Sequence, residues 1–278
     1  MKRIAFILSL TTIVTFNSYA QKNEPKIVLT KGQKIVVKTT STQEADMGMG
    51  MEMKNFTTAQ NDLYVLDAGD VNYTLTNTLT GLKLSMDMMG QTSTYDSDKK
   101  EDSASVIGKS VSNLNVPDTL TLNKYSRVVT ANKKADPVAE ETNPMESIFE
   151  SFGNSNDNIV KEAFFIVPAG KKTGDKWVDS SSTKDTKVYK EYQLQSVENG
   201  IITILENGKV DNNTQTEIQG MQVTINMTAK STAEIKVNSK TSQVNKREAK
   251  TELTGNLEMM GQQVPVTGKG TISTVYEY

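Results

Sequence analysis

Four methionines recur at every second position in the first quarter of the chain. They are Met47, Met49, Met51 and Met53. On a β-strand, alternate side chains share one face, so these four thioethers would project together at intervals of about 7 Å. Thioethers are soft ligands that suit Cu(I), but the chain has no histidine or cysteine to strengthen such a site. An apolar stripe, packed in a core or lining a ligand site, is therefore favoured, and no metal is predicted.

Further methionines occupy the apolar faces of other predicted strands. These candidates are Met86, Met88, Met227 and Met259. If the strands curl, they and the first four methionines line one concave surface. Because methionine is flexible and adapts to irregular contacts, such a lining suits a hydrophobic ligand of variable shape. The eight methionines are the predicted ligand-lining residues.

Composition excludes several kinds of chemistry. The 278 residues include no cysteine and no histidine, which removes disulfides, zinc–thiolate sites, cysteine nucleophiles and imidazole catalysis. A net charge of −2 gives no field suited to nucleic acid. The chain has no glycine-rich phosphate loop, and the Ser-x-x-Lys pattern at 181–184 lies in a non-helical polar stretch, where chance explains it. No catalytic residue and no cofactor are predicted, although an enzyme that uses carboxylates stays an alternative.

The first twenty residues have the three parts of a secretory signal peptide. Lys2 and Arg3 form a basic start, Ile4 to Phe16 is an apolar run, and small residues precede a cleavage site after Ala20. The apolar run is too short to span a bilayer, and no later segment is long and apolar enough. Cleavage leaves Gln21 at the mature N-terminus, without a cysteine for lipid attachment. We therefore expect a periplasmic or secreted protein.

Alternation of apolar and polar residues dominates the rest of the chain and predicts long β-strands. From Val223 to Val237, odd positions are apolar or small and even positions are polar or charged. The alternation resumes after the turn residues at 238–240 and again after 260–262, which predicts a three-stranded antiparallel meander. Charged residues between 229 and 250, Arg247 among them, are assigned to the solvated face of this meander.

Short turn signals divide the chain into further strands. Asn199-Gly200 predicts a hairpin, and Asn207-Gly208 repeats the signal. In the first half, residues 67–70 are a predicted turn, and Gly81 is expected to separate two strands. The polar run 211–217 is interpreted as a solvated loop.

Trp177 follows the turn sequence at 174–176. Its indole could stack on a ligand, but an aromatic ring at the start of a strand more often anchors that strand to the core. Anchoring is therefore the predicted role of Trp177.

The middle of the chain differs from both flanks. Residues 131–165 are rich in proline, acidic and other polar residues and are predicted to form a linker. A short helix is expected from Met145 to Phe152, and a second one around 159–165. The linker separates an N-terminal β-rich half, 21–130, from a C-terminal β-rich half, 166–278.

The two halves share one short motif. Residues 87–91 read DMMGQ and residues 258–262 read EMMGQ, which fits either a duplication or a coincidence. The expected fold is mainly β. Long antiparallel strands form an open barrel or half-barrel, with one or two short helices between the halves.

Three short blocks carry a resemblance to a known family. They are Lys31-Gly32-Gln33, the run 88–91 leading to Tyr95-Asp96-Ser97, and 167–170 followed by 174–180. With these blocks the chain, over most of residues 26–278, resembles an uncharacterised family of exported β-rich proteins of Gram-negative bacteria, a domain of unknown function. The resemblance implies a signal peptide or lipoprotein anchor and a β-rich body. It implies no known activity, so no functional residue is carried over.

These patterns favour a non-catalytic function outside the cytoplasm. The preferred hypothesis is a periplasmic or secreted protein that binds or carries a lipid or acyl chain on a concave, methionine-lined β surface. The alternative is a structural or protein-interaction component of the cell envelope with no small-molecule ligand. The expected partner is a hydrophobic ligand or an envelope protein rather than nucleic acid, and the sequence leaves the oligomeric state open.

Overall fold

The computed structural model describes residues 25–48, 50–104, 108, 111, 114–125, 128–131, 156–218, 221–259 and 261–278. Within these residues, twelve strands form one antiparallel sheet. The strands are β1 (Lys34–Asp46), β2 (Glu52–Ala68), β3 (Asn72–Met88), β4 (Gln91–Asp96), β5 (Asp118–Asn123), β6 (Val128–Ala131), β7 (Lys176–Ser182), β8 (Thr186–Glu198), β9 (Ile201–Ile218), β10 (Met221–Asn238), β11 (Val244–Met259) and β12 (Gln262–Glu277). A short helix, α1 (Asn156–Glu162), precedes β7, and a 3-10 helix spans Lys100–Ala104.

The strand order makes one continuous, open sheet. It runs β6-β5-β3-β2-β1-β12-β11-β10-β9-β8-β7, with β4 paired to β3 beside this path. Strand β1, near the start of the chain, pairs with β12, at its end, along eleven residue positions. Both predicted halves therefore belong to the same sheet. Among the described strands, β6 and β7 form the two ends of the path and do not pair with each other. The predicted fold class, mainly β in an open barrel or half-barrel, is confirmed.

The predicted C-terminal meander is also present. Strands β10, β11 and β12 follow one another and pair in sequence order. The hairpin predicted at Asn199-Gly200 connects β8 to β9, and φ is 50° at Asn199 and 79° at Gly200. Positive φ at both central residues is what a type I′ turn requires, so Asn-Gly suits this position.

The second Asn-Gly signal was misleading. Asn207 and Gly208 lie inside β9, and so does the run 211–217 that was interpreted as a loop. Strand β9 pairs with β8 on one side and with β10 on the other, so the ladders on both sides outweigh the local preference for a turn. Gly208 lies opposite Ser231, whose hydroxyl occupies the space that a Cβ at Gly208 would take.

Gly81 does not end a strand either. Gln60 pairs with Gly81 and Asn61 pairs with Leu79, which leaves Thr80 as an extra residue on β3. This is a β-bulge, a common role for an isolated glycine in a strand. Strand β3 therefore continues through the bulge to Met88.

The strand predicted for the four alternating methionines is wrong. Met47 donates its N–H to the carbonyl of Met51, and Met51 donates to the carbonyl of Gly48. Gly48 and Gly50 have φ of 70° and 77°, which fits a turn between β1 and β2. Met49 lies outside the described residues. Of the four methionines, the structure places Met53 in a strand, near the start of β2.

The shared pentapeptides form equivalent hairpin connections. Met88 pairs with Gln91 between β3 and β4, and Met259 pairs with Gln262 between β11 and β12. In each case one residue at the turn is a glycine with φ near 79°, Gly90 or Gly261. Common turn geometry is therefore sufficient to explain the common sequence.

The linker region is described only at its C-terminal end. The helix predicted from Met145 to Phe152 lies outside the described residues. The second helix, predicted around 159–165, is α1, which begins and ends three residues earlier. The boundaries proposed for the linker and for the two halves stay predictions.

The main core fills one end of the sheet. We call the end with the β2–β3, β8–β9 and β10–β11 turns the proximal end and the opposite end the distal end. We call the face that carries Ile35, Leu63 and Ile204 the inner face. At the proximal end, these residues pack with others from β3, β5 and β10 in one buried cluster.

Two chain segments cover the inner face at the proximal end. We call residues 25–29 and 156–167 together the plug. The N–H groups of Ile27 and Val28 donate to the carbonyls of Lys124 and Thr241, which belong to opposite sides of the sheet. From the other plug segment, Val160, Ala163 and Phe164 are buried in the same cluster. The plug therefore closes the proximal end and holds the two sides of the curved sheet together.

Trp177 contacts this plugged core, as predicted. Its ring stacks on Tyr192 with centroids 5.6 Å apart and lies 6.3 Å from the ring of Phe165. These contacts attach the start of β7 to the core cluster.

Burial of Tyr276 in the proximal core predicts that the protein loses stability at alkaline pH. Tyr276 is 4% exposed, and burial, with the negative charge of Glu162, raises its pKa above the ordinary value of 10.0. Above about pH 10 the unfolded chain releases this proton and the folded chain keeps it, so stability falls as pH rises, by about 1.4 kcal/mol per pH unit. We expect Tyr276→Phe to make this fall shallower in urea unfolding experiments between about pH 9 and 12. Tyr125→Phe is the control, because Tyr125 is 53% exposed; identical slopes for all three proteins would contradict the expectation.

Candidate ligand-binding groove

The inner face changes character towards the middle of the sheet. The proximal third carries large aliphatic residues. In the middle third, neighbouring positions on β10, β11 and β12 carry small ones. These are Ala229, Ser231, Ala249, Thr251, Gly268 and Gly270. The register places Ser231 opposite Thr251 and Thr251 opposite Gly270, so the small residues adjoin across three strands.

A cavity of about 310 Å³ lies over these small residues. Its lining comes from β1, β2 and β8–β12, because the sheet curls around it. Val210, Leu253, Ile272 and Met53 supply larger apolar side chains to the walls. The volume is at the lower end of the range for small-molecule sites, and an apolar lining with a few polar groups is typical of such sites.

The polar groups of the cavity form one charged cluster. Glu206 is 3% exposed and accepts a hydrogen bond from the Arg247 guanidinium at 3.0 Å. The Lys190 ammonium lies 3.7 Å from the same carboxylate oxygen of Glu206. These three side chains, from β11, β9 and β8, line the cavity beside its apolar walls.

Arg247 is charged under all ordinary conditions. Burial disfavours its charged guanidinium, but the carboxylates of Glu162 and Glu206 outweigh that effect and raise the pKa of Arg247 above its ordinary value. The cavity therefore contains a fixed positive charge in a mostly buried position.

The predicted methionines are placed at the distal end. Met53 lines the cavity, and its cross-strand neighbour on the inner face is Met88. Met47 is buried against Leu253 and Val266, with Met51 and Met227 packed partly buried against this group. Met86 is half-buried on the inner face of β3. Backbone pairing places Met259 opposite Val223 and Gln262.

The charged cluster was missed by the sequence interpretation. Arg247 was grouped with the solvated charges of its strand, although it has the same parity as Ala249 and Leu253, which face inward. Glu206 was obscured because the following Asn207-Gly208 was interpreted as a turn. Strict counting by twos from Leu253 was the signal that could have identified Arg247.

A second, larger groove is polar. It has a volume of about 970 Å³ and is lined at the distal end by residues of β8–β11 and the β7–β8 turn, including Asp185 and Asp211. Asp211 accepts hydrogen bonds from Lys209 at 2.8 Å and from Thr228 at 2.7 Å. The bond from Lys209 holds the pKa of Asp211 below its ordinary value. A general acid needs a raised pKa, so Asp211 is unsuited to that role.

A lipovitellin structure shares the general fold of this chain at low sequence identity, and two further structures match with lower TM-scores. A lipovitellin structure described as "lipid-protein interactions in lipovitellin" has a TM-score of 0.51 and 9% identity and covers 93% of this chain. The chain spans 26% of that protein. The match to OccK5 (OpdH) from Pseudomonas aeruginosa covers 89% of this chain and 99% of the OccK5 chain, with 8% identity and a TM-score of 0.25. The COG4313 outer membrane channel from Pseudomonas putida F1 covers 91% and 98%, with 8% identity and a TM-score of 0.21.

No curated protein matches the chain. Among the helices of the described residues, none is long and apolar enough to span a bilayer. A family model matches residues 70–244, which is more than half of the sequence and includes β3 to β10 and the first residue of β11. The chain therefore belongs to the family of unknown function DUF6263.

Proposed function

We propose that this protein is exported and binds a lipid or acyl chain in the inner-face cavity, without catalysing a reaction on it. One observation carries the proposal. The middle third of the inner face has alanine, glycine and serine at positions where the proximal third has leucine, isoleucine and valine, and a cavity of about 310 Å³ remains there.

Physical chemistry favours an apolar occupant for this cavity. Its walls present methyl and methylene groups of Leu253, Ile272 and Val210, and a hydrocarbon chain would cover them. Each buried methylene of a ligand contributes about 0.8 kcal/mol. Small residues on the floor let the chain approach the backbone of the sheet closely, which increases the area buried.

Two further points support the proposal. A structure described as "lipid-protein interactions in lipovitellin" has a similar fold over 93% of this chain. The signal-peptide pattern at 1–20, with cleavage after Ala20, supports export to the periplasm or beyond. Outside the cytoplasm, a lipid or acyl chain needs a binding protein because water solvates its hydrocarbon poorly.

The test fills the cavity by substitution. We expect the wild-type protein to bind palmitic acid, measured by native mass spectrometry and by displacement of a fluorescent fatty acid. The double variant Ser231→Leu/Thr251→Leu places two leucines opposite each other inside the cavity. It should lose affinity by at least about tenfold, because the added side chains occupy the space of the ligand.

A matched control lies on the same two strands. Lys230 and Glu252 also pair directly, but both are exposed on the outer face. Lys230→Leu/Glu252→Leu should therefore bind palmitic acid like the wild type. Failure of the wild type to bind any fatty acid, or equal losses in both variants, would contradict the proposal and favour an envelope component without a small ligand.

A further inference from the structure

The Arg247 guanidinium has more hydrogen-bond donors than the protein uses. A guanidinium carries five N–H donors. Within the described part of the chain, Arg247 makes one side-chain hydrogen bond, to Glu206. Its side chain is 12% exposed and lines the cavity. Donors that face the cavity are therefore available to whatever occupies it, water or ligand.

The side chains that line the cavity include charges of both signs. Arg247 and Lys190 are positive and Glu206 is negative, while Glu44 and Lys269 at the rim pair with each other at 3.0 Å. The lining therefore has one positive charge in excess. Two further carboxylates lie nearby without lining the cavity. Glu162 of α1 acts on Arg247 electrostatically, and Asp179 lies opposite Lys190 in the register of β7 and β8, so the positive excess is confined to the lining itself.

The cluster lies at the proximal side of the cavity. Arg247 precedes Leu253 by six residues on β11, which corresponds to about 20 Å along the strand. The plug closes the sheet on the proximal side of Arg247, where Tyr276 and Val244 are buried in the main core. An extended chain that begins at Arg247 therefore has room in one direction, over Thr251 and Gly270 towards Met53.

We infer that the cavity selects single-chain amphiphiles with an anionic carboxylate or phosphate head group, which Arg247 binds with help from Lys190, while the hydrocarbon chain extends towards the distal methionines. The inference rests on the proposed function and adds its chemical specificity. Carboxylate and phosphate oxygens suit the fork of donors on a guanidinium, and hydrogen bonds between charged partners are about twice as strong as neutral ones.

The experiment compares three ligands with the same hydrocarbon chain. Palmitate carries a carboxylate, hexadecyl phosphate carries a phosphate, and hexadecanol is uncharged. We expect the wild-type protein to bind at least one of the two anions about tenfold to a hundredfold more tightly than hexadecanol. The stronger anion identifies which head group the site prefers. In Glu206→Leu/Arg247→Met, the ratio of anion to alcohol affinity should fall below the wild-type value, and a further Lys190→Met substitution should bring it close to one.

The control removes an equivalent pair from the outer face of the same strand. Lys246 and Glu248 form an ion pair at 2.9 Å with side chains 39% and 52% exposed. Lys246→Met/Glu248→Leu should keep the wild-type ratio. Equal wild-type affinity for all three ligands would overturn the head-group inference and leave the proposed function standing. Absence of binding to all three would instead contradict the proposed function.

Discussion

Arg247→Leu should lower the free energy of unfolding by about 3–5 kcal/mol, the range for removing one partner of a buried ion pair. The substitution leaves the carboxylate of Glu206, which is 3% exposed, without the guanidinium 3.0 Å away. Lys190 compensates in part, but its ammonium is more distant, at 3.7 Å, and its side chain is 35% exposed. Chemical unfolding followed by tryptophan fluorescence would measure the loss, because Trp177 is packed against the core.

A double variant distinguishes the loss of the ion pair from the cost of leaving one buried charge unpaired. Glu206→Leu/Arg247→Met removes both charges and leaves apolar side chains, so it should be within about 1 kcal/mol of the wild type. Lys246→Leu, which breaks a more exposed ion pair on the same strand, should cost less than about 1 kcal/mol. Equal losses of stability in Arg247→Leu and in the double variant would contradict this account. They would mean that the ion pair itself, rather than the avoidance of an unpaired buried carboxylate, stabilises the fold. A buried charged cluster that adds little net stability would fit a role in ligand recognition rather than in folding.

The period-two pattern was sufficient to predict the architecture. Long alternating runs such as 223–237 allow one curved sheet because each strand needs one buried and one solvated face. Turn chemistry alone was less reliable. Asn199-Gly200 and Asn207-Gly208 are the same dipeptide, but only the first forms a turn. The second stays in β9 because β8 and β10 pair with β9 on both sides at Asn207 and Gly208.

The methionines show a place where the period-two pattern fails to predict a strand. Counting by twos predicted that 47, 49, 51 and 53 share a strand, but the glycines between them allow the left-handed backbone of a turn. Met47, Met51 and Met227 nevertheless pack in one cluster. They reach the same cluster from a hairpin turn and from β10, a proximity that depends on sheet curvature and on contacts distant in sequence.

The first segment of the plug had no sequence signal of its own. Residues 25–29 are too few to show a period, and their hydrogen bonds reach Lys124 and Thr241, far along the chain. The cavity was hidden for a related reason. Ala229, Ser231 and Thr251 are visible as small residues in the sequence, but their juxtaposition depends on the register between β10 and β11. The plug covers large residues at one end of the sheet and leaves the small ones in the middle open, and this difference creates the cavity.

Gly255→Ala should destabilise the protein by about 2–3 kcal/mol, at the upper end of the range for overpacking. A Cβ at this position would overlap the backbone carbonyl of Asn226 and lie 2.7 Å from the sulfur of Met227. Met227 is the direct cross-strand neighbour of Gly255, so its thioether fills the space that the glycine leaves. Methionine at 227 is thereby explained by packing, since a flexible unbranched side chain can bend over a bare backbone.

A control for Gly255 is Gly81, another strand glycine whose φ is not positive. Its nearest neighbour to an added Cβ is the Cβ of Gln60 at 3.6 Å, an ordinary contact, so Gly81→Ala should be neutral or stabilising by about 0.5–1 kcal/mol. Urea unfolding midpoints of the two variants and of Met227→Ala/Gly255→Ala decide the matter. If the triple contact among Gly255, Met227 and Asn226 is the cause, shortening Met227 should relieve only the part of the clash that involves sulfur. Full recovery of stability in that double variant would contradict this account. It would mean that the backbone of β10 at Asn226 shifts to accommodate the added Cβ at little cost in free energy.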